Sequence, residues 1–290
     1  MAKPKIIGVV GPTASGKTDY AIRLAKERGG EVVSCDSMQI YRHMDIGTAK
    51  PTLEEMQGIP HHMIDIAEPE ENFSVARFVK LARECIDGIL ERGKIPVLCG
   101  GTGLYFDSII NNLEFSEMET DEGYRQSLNA LAEEKGCEFV HRMLREVDPR
   151  SADAIHPNNL KRVIRALEIY KVSGKLKSVL DREQRGEPLY EGEIFGLSRP
   201  RDVLYDRINR RVDIMMEQGL LEEVKTLLSM GISPKATSMQ AIGYKELVWY
   251  LEGTLPLKEA VDKIKQESRR YAKRQITWFK RNPDIIWLEM

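Results

Sequence analysis

No two of the four cysteines stand close together. Cys35, Cys85, Cys99 and Cys137 form no CxxC pair, which excludes a zinc ribbon and a disulfide framework and leaves reduced cytosolic thiols as the expectation. No apolar run approaches the roughly 18 residues needed to cross a bilayer. The opening MAKPKIIGVV has too short an apolar run for a signal peptide and leads directly into a glycine-rich loop. Internal repeats and low-complexity tracts are missing as well. Charge of one sign is scarce: the net charge is -2 over 290 residues. Any nucleic-acid contact must therefore come from local clusters rather than from a uniformly basic surface. The remaining composition is ordinary for a globular protein, long enough for one large domain or a core plus a smaller one, and the expectation is a cytoplasmic protein with no membrane anchor.

What is present begins with KIIGVV, an apolar, β-branched run that reads as a buried parallel strand. GPTASGKT follows and fits G-x-x-x-x-G-K-[ST], the loop whose backbone N–H groups wrap a chain of phosphates. A helix is predicted from about Lys17 to Arg28, ending at Gly29-Gly30. EVVSCDS reads as a second strand and HHMIDI as a third apolar segment. Ser74 can cap a helix that runs to Arg92, and IPVLCGGTGLY reads as another buried strand that enters a glycine turn. Strand and helix in this alternation predict an α/β fold with a parallel, doubly wound sheet.

From about Glu114 to Glu193 the pattern is helical. Leu160, Val163, Ile164 and Leu167 fall at i, i+3, i+4 and i+7, with Asn158 or Asn159 as cap and Gly174 as stop. This predicts a small all-helical insertion at 114–193 within a core formed by 1–113 and 194–290. EIFGLSR resumes the sheet, Asp202 can cap the helix DVLYDRINRRVDIMME, and DIIWLEM closes as a strand.

Gly11 and Gly16 allow close backbone approach to phosphates, Lys17 brings a point charge, and the Thr18 hydroxyl can ligate Mg²⁺. A nucleoside triphosphatase adds a Walker-B aspartate at the end of another apolar strand. IPVLCGGTG ends instead in glycine and threonine. EVVSCDS does end in Asp36, but Ser37, Met38, Gln39 and Tyr41 follow, a row suited to an organic acceptor at the carboxyl edge of the sheet. Asp36 can equally be a turn residue, and Thr102 an ordinary helix cap. Arg207 and Arg211 lie on one helix face, either as surface ion-pair partners or converging on a diphosphate. His61 and His62 cannot both reach one ion from a regular strand, and no carboxylate–histidine spacing supports them as ligands.

Local charge gathers in two places. Lys161 and Arg165 share a helix face, with Arg162 beside them. The stretch 256–281 carries nine basic and three acidic residues, with Tyr271, Trp278 and Phe279 interleaved. Such a pattern suits structured RNA, and it also suits an amphipathic helix whose aromatics face the core.

Taken together, GPTASGKT, SCDSMQIYRHMDIGTAKP, HHMIDI, GGTGLY, NNLKRVIRALE, SMQAIGYKE and KRQITWFKR resemble the bacterial tRNA dimethylallyltransferases, also called tRNA isopentenyltransferases. The resemblance covers nearly the whole chain. The P-loop alone is unspecific, whereas DSMQIYR…DIGTAKP combined with GGTGLY is specific. It implies a P-loop NTPase-like core and transfer of a dimethylallyl group from dimethylallyl diphosphate to N6 of adenosine 37 beside the anticodon. It further implies diphosphate binding by Gly11, Pro12, Thr13, Ala14, Ser15, Gly16, Lys17 and Thr18, with Mg²⁺ as cofactor on Thr18. Asp36, Thr102 and Arg211 are the implied catalytic residues, with Asp36 as base for the N6 proton. Implied tRNA contacts are Asp36, Ser37, Met38, Gln39, Thr102, Tyr124, Lys161, Arg162, Val163, Ile164, Arg165, Gln240, Ala241, Ile242, Gly243, Tyr244, Lys245, Lys273, Arg274, Gln275, Trp278 and Lys280. The expected assembly is a monomer acting on the anticodon stem-loop, with no membrane partner. The competing readings are an ATP-dependent small-molecule kinase, a nucleotide-switched RNA-binding protein and a prenyltransferase acting on a free adenine nucleotide.

Overall fold

The computed structural model describes residues 3–113, 115, 120–183 and 186–290. Six strands form one sheet in the order β3-β2-β4-β1-β5-β6, and every neighbouring pair is parallel. The first half supplies β1 (Lys5–Val10), α1 (Lys17–Arg28), β2 (Gly30–Ser34), α2 (Leu53–Met56), β3 (His61–His62), α3 (Val75–Glu91), β4 (Ile95–Gly100) and α4 (Gly103–Ile110). Five helices follow: α5 (Glu122–Lys135), α6 (Cys137–Val147), α7 (Pro149–Ala154), α8 (Leu160–Ser173) and α9 (Lys177–Glu183). The chain then returns to the sheet with β5 (Glu191–Ser198), α10 (Arg201–Glu217), α11 (Leu220–Ser229), α12 (Tyr244–Leu251), α13 (Leu257–Phe279) and β6 (Ile286–Glu289). It divides into two compact units, Met1–Ile110 with Pro188–Met290, and Asn111–Glu187.

The sheet unit has the predicted α/β architecture. β1, β2 and β4 are buried almost end to end, because helices cover both faces of a parallel sheet. In sheet order β2, β4 and β1 are neighbours. Their carboxyl ends therefore bring three distant loops together: the P-loop after β1, Asp36 after β2 and Gly101-Thr102 after β4. The apolar segment HHMIDI yields only a two-residue strand at its start. β3 is an edge strand, and its histidines are tied locally. His61 Nδ1 lies 2.8 Å from the Ile59 carbonyl, and His62 Nε2 lies 2.7 Å from Glu31 Oε2. Glu31 also accepts from Arg92 Nη2 at 2.6 Å. Arg92 first, then His62, holds this carboxyl below the usual range against the opposing effect of burial.

Two helix starts refine the sequence reading. α10 begins at Arg201 after Pro200, so Asp202 sits in the first turn and not at the cap. There its carboxylate still faces the positive end of the helix dipole. Ser74 does cap α3, its hydroxyl accepting the Arg77 N–H. β5 opens at Glu191, earlier than the 194 boundary. Glu114, where the helical segment is expected to begin, lies outside the described residues.

The helical unit has its own core of Leu128, Val140, Leu144, Ala152, Val163, Ile164 and Leu167. At its centre Glu168 is fully buried. It accepts the Asp121 N–H at 2.9 Å and pairs with Arg125 and Arg165 at 2.9 and 2.5 Å. Burial opposes its ionisation, but the two arginines hold its carboxyl below the usual range. A buried carboxylate persists only when paired in this way.

Candidate active site

The P-loop leaves β1 at Gly11 and turns through two left-handed glycines, Gly11 at φ 147 and Gly16 at φ 99, with Ala14 at φ 63 between them. A Cβ on Gly11 would stand 2.7 Å from the Leu197 carbonyl oxygen, so β5 itself enforces glycine there. Alternating backbone of this kind points successive N–H groups at one spot, the concavity that binds anions. The Thr13 N–H is committed to Gln275 Oε1 at 2.8 Å, and the Ser15 N–H to the Pro12 carbonyl at 3.3 Å. The N–H groups that open α1 have no partner one turn earlier in the helix, and the helix dipole adds positive potential at that point. The Ser15 hydroxyl is buried and makes no hydrogen bond among the described residues. An orphaned hydroxyl inside such a loop fits a phosphate ligand.

Lys17 Nζ donates to the Pro12 carbonyl at 2.6 Å. Burial pushes this ammonium down to about 8, with Arg211 adding to the depression and Asp36 opposing it. Arg211 lies on the face of α10 that looks toward the loop. Burial lowers its pKa first, and Arg207 lowers it further. Arg207, which the sequence reads as either a surface ion-pair partner or a second diphosphate ligand, is engaged with the loop backbone. Its Nε donates to the Ala14 carbonyl at 2.9 Å.

Two cavities meet at the P-loop. One, of about 460 Å³, is lined by Thr18, Asp19, Lys50, Glu55 and Arg207 among others. The second, of about 370 Å³, is lined by Asp36, Thr13, Met38, Tyr271 and Gln275, with apolar walls from Ile208, Val212, Met215, Leu220 and Ile264. Lys17, Thr18 and Arg211 line both. The two cavities are thus joined along the P-loop, and the second contains Asp36.

Asp36 combines its two readings. Oδ1 accepts the Met38 N–H at 2.8 Å, as a turn aspartate does, while the residue lines the second cavity. Burial raises its pKa, and the Met38 N–H and Lys17 oppose the rise. Thr102 Oγ1 accepts the Ser37 N–H at 3.0 Å and approaches Ser37 Oγ at 3.3 Å. It also caps α4, which begins at Gly103, through backbone: the Thr102 carbonyl accepts from Phe106 at 3.1 Å. Gln39 is half-buried, its Oε1 accepting from Ser34 Oγ and its Nε2 donating to the carbonyls of Thr48 and Ala49.

Gln275, expected to touch tRNA, is buried and does other work. It accepts from the P-loop at Thr13 and donates to the Gly101 carbonyl at 3.0 Å. Tyr271, on the same helix, lines the second cavity beside it. Burial, with Asp36 adding, pushes the Tyr271 hydroxyl up to about 12, so it stays a donor at neutral pH. Gln275 of α13 thus ties together the loops after β1 and β4, and Thr102 joins the latter to the loop after β2. Gly101 must be glycine for this, because a Cβ would fall 2.0 Å from Gln275 Nε2.

Three other expected tRNA contacts are also interior. Val163 and Ile164 belong to the apolar face of α8 and pack in the helical core. Tyr244 is fully buried, its hydroxyl donating to Glu223 at 2.6 Å. The basic neighbours sit on the outside. Lys161 and Arg162 are exposed on α8, while Arg165 is half-buried against Glu168. Tyr124 is half-buried in the helical core, with Lys171 Nζ 4.2 Å above its ring. Gln240, Ala241, Ile242, Gly243 and Lys245 line the second cavity. Lys273, Arg274 and Lys280 are exposed on and just after α13. Trp278 Nε1 donates to Asp107 at 2.8 Å, and Phe279 is buried against Phe106. The aromatics of α13 therefore face inward, and its cations face outward.

Glu223 escaped the sequence reading. Its carboxylate accepts the N–H groups of Asp45, Ile46 and Gly47 at 2.9, 2.8 and 3.1 Å, besides the Tyr244 hydroxyl. It thereby holds the DIGTAKP loop, of which Thr48 and Ala49 line the second cavity. A lone glutamate on an amphipathic helix carries no local signal of such a role.

Comparison with known proteins places these features. An IPP transferase family model matches residues 39–282, and an isopentenyl transferase model matches residues 4–69. The tRNA dimethylallyltransferase of Bacillus cytotoxicus is 53% identical over 288 residues, covering 99% of this chain and 91% of its own. That of Bacillus anthracis is 53% identical over 290 residues, covering 100% and 92%. The crystal structure of a full-length tRNA isopentenylpyrophosphate transferase from Bacillus halodurans superposes with TM-score 0.74 at 50% identity, over 99% of this chain and 90% of that one. A eukaryotic dimethylallyltransferase described as acting on tRNA superposes with TM-score 0.80 at 32% identity, over 99% and 74%.

Proposed function

The chain belongs to the IPP transferase family, and from that membership and the geometry of the site we propose that it transfers a dimethylallyl group from dimethylallyl diphosphate to N6 of adenosine 37 in tRNA. The products are N6-(dimethylallyl)adenosine and diphosphate. The observation that carries this reading is the placement of Lys17, Thr18 and Arg211 in the same cavity as Asp36. A phosphate chain and an acceptor can meet there, and the apolar wall beside Arg211 suits a prenyl tail.

The chemistry follows from the residues. The N6 lone pair of adenine is delocalised into the ring, so the amine is a poor nucleophile. Asp36 accepts a proton from N6 as the N6–C1 bond forms. Its raised pKa brings its basicity closer to the working pH. The C1–O bond breaks at the same carbon, and its electron pair leaves with the diphosphate. Lys17, Arg211 and the loop N–H groups stabilise that growing charge. Thr102 and Gln275 keep the Asp36 turn in register with the P-loop.

Thr18 fits Mg²⁺ as a single protein ligand that lines both cavities beside the loop. Mg²⁺ is commonly held by one or two protein oxygens, substrate phosphates and water. When bound it would neutralise charge on the leaving diphosphate. Asp36 to Gln39, Gln240 to Gly243 and Lys245 line the second cavity and would receive the flipped base and its neighbours. Lys161, Arg162, Lys273, Arg274 and Lys280 supply exposed charge for the anticodon stem-loop. A monomeric enzyme in the cytoplasm is the setting this reading assigns.

The test is a transfer assay with total tRNA, Mg²⁺ and either dimethylallyl diphosphate or ATP, followed by nucleoside mass spectrometry. Dimethylallyl-adenosine with the first donor and none with ATP is the expected result. ATP consumption without that product would return the site to a kinase.

A further inference from the structure

We infer that Arg207 and Arg199 are positioning residues that hold the P-loop in its diphosphate-binding shape by capping its outward carbonyls, leaving Arg211 to face the donor. The inference rests on the diphosphate reading above. A loop that binds an anion through its N–H groups has to turn the matching carbonyls away. Here three of those carbonyls each meet a cationic side chain. Pro12 takes Lys17 Nζ at 2.6 Å, Ala14 takes Arg207 Nε at 2.9 Å, and Ser15 takes Arg199 Nε at 3.1 Å. The two arginines come from the end of β5 and from α10, elements more than 180 residues beyond the loop in sequence.

The Ala14 carbonyl is the informative one. Ala14 has φ 63, a left-handed conformation that a side-chain-bearing residue holds only when its surroundings enforce it. If Ala14 relaxed to negative φ, its peptide planes would rotate and the N–H groups following it would leave the phosphate. The Arg207 hydrogen bond opposes that rotation. Arg199 works one residue further on. Its Nη1 also donates to the Met290 carbonyl at 2.7 Å, so the guanidinium itself is held on the far side. Arg207 also borders the polar cavity, whereas Arg211 lines both cavities and is the one beside Asp36.

A direct phosphate contact and a backbone brace differ in how they depend on residue 14. Glycine adopts left-handed φ without strain, so Ala14→Gly should reduce the need for the brace. Binding of inorganic diphosphate in the presence of Mg²⁺ is measured by calorimetry, and KM for dimethylallyl diphosphate by transfer assay. Both are taken for the wild-type protein, Arg207→Gln, Arg207→Lys, Ala14→Gly and the Ala14→Gly/Arg207→Gln pair. Arg207→Gln is expected to weaken diphosphate binding about tenfold, the size of one charge-assisted hydrogen bond. Arg207→Lys, which keeps the charge but loses the fixed Nε–H, should restore little of it. In the Ala14→Gly background the same Arg207→Gln change should cost much less, a non-additivity that only a coupling through residue 14 produces. Equal losses in the two backgrounds, wild-type binding in Arg207→Lys, or no loss in Arg207→Gln would each overturn the inference. Wild-type protein that binds no diphosphate would instead remove the reading on which it rests, and the inference with it. Arg199→Gln gives an independent arm and should also raise KM while changing kcat less.

Discussion

Thr102 Oγ1 accepts the Ser37 N–H at 3.0 Å, and this bond joins the end of β4 to the turn that carries Asp36. Sixty-five residues of chain separate the partners. Gln275 joins Gly101, next to Thr102, to Thr13 of the P-loop, so on the proposed reading the Thr102 hydroxyl sets where Asp36 stands relative to the phosphate loop. Thr102→Ala should lower kcat about 10- to 100-fold, the loss expected from a misplaced catalytic group. KM for the donor should change less. Thr102→Ser keeps the hydroxyl and should recover most of the rate. Equal activity of the Ala and Ser variants in single-turnover measurements would remove this role.

Asp36→Asn separates activity from stability. The amide oxygen can still accept the Met38 N–H, so the turn survives, but no proton can be taken from N6. Transfer should fall about 10²- to 10⁴-fold, with diphosphate binding little altered. Stability should move the other way. Burial raises the pKa of Asp36, so between its unfolded and native pKa the native state holds a proton that the unfolded state releases. Stability from this group is thus lost as pH rises through its native pKa. At neutral pH the variant escapes that cost, and its thermal midpoint should equal or exceed that of the wild type.

The pH profile of kcat/KM should have limbs set by the same two residues. On the acid side the rate falls as Asp36 is protonated, at a pH above the usual aspartate value. On the alkaline side Lys17 loses its proton at about 8 in the free protein, and donor capture weakens as the ammonium is neutralised. Bound diphosphate stabilises that ammonium, so the alkaline limb should recede in kcat, which reports the substrate complex. An alkaline limb at the same pH in both parameters would argue against Lys17.

Glu223 accepts four donors on two oxygens. Glu223→Gln replaces one oxygen by an NH₂ that confronts donors, and leaving part-buried donors unpaired costs about 1 kcal/mol or more. Chemical denaturation should show that loss. The loop Asp45–Lys50 should gain hydrogen exchange before the strands do. Unchanged exchange across Asp45–Gly47 would contradict the placement.

Neighbouring residues of α8 should part company. Replacing Lys161 and Arg162 by alanine should weaken tRNA binding and make it less steep in salt, with folding intact. Val163→Ala opens space in the helical core instead and should cost about 1–3 kcal/mol of stability. A salt-dependent binding defect in Val163→Ala, with no loss of stability, would reverse this division.

Much of the site was legible along the chain because its parts are local. GPTASGKT sits between a buried strand and a helix, and the Asp36 and Thr102 turns end apolar runs whose length and β-branching mark parallel strands. Those patterns depend on backbone geometry over a few residues. The order of the strands is not local. Only the insertion of β4 between β2 and β1 makes neighbours of three loops scattered over the first hundred residues. The side-chain roles that need two distant partners were likewise hidden. Gln275, Tyr244 and Val163 stand in stretches rich in basic or polar residues, yet helix phase turns each inward, while Lys161 and Lys273 turn outward. Arg207 and Glu223 are ordinary charges on amphipathic helices until packing sets a loop carbonyl or a row of N–H groups before them. Periodicity and turn chemistry are written in consecutive residues, whereas burial and hydrogen-bond partners arise from packing between elements and are decided only when the chain folds.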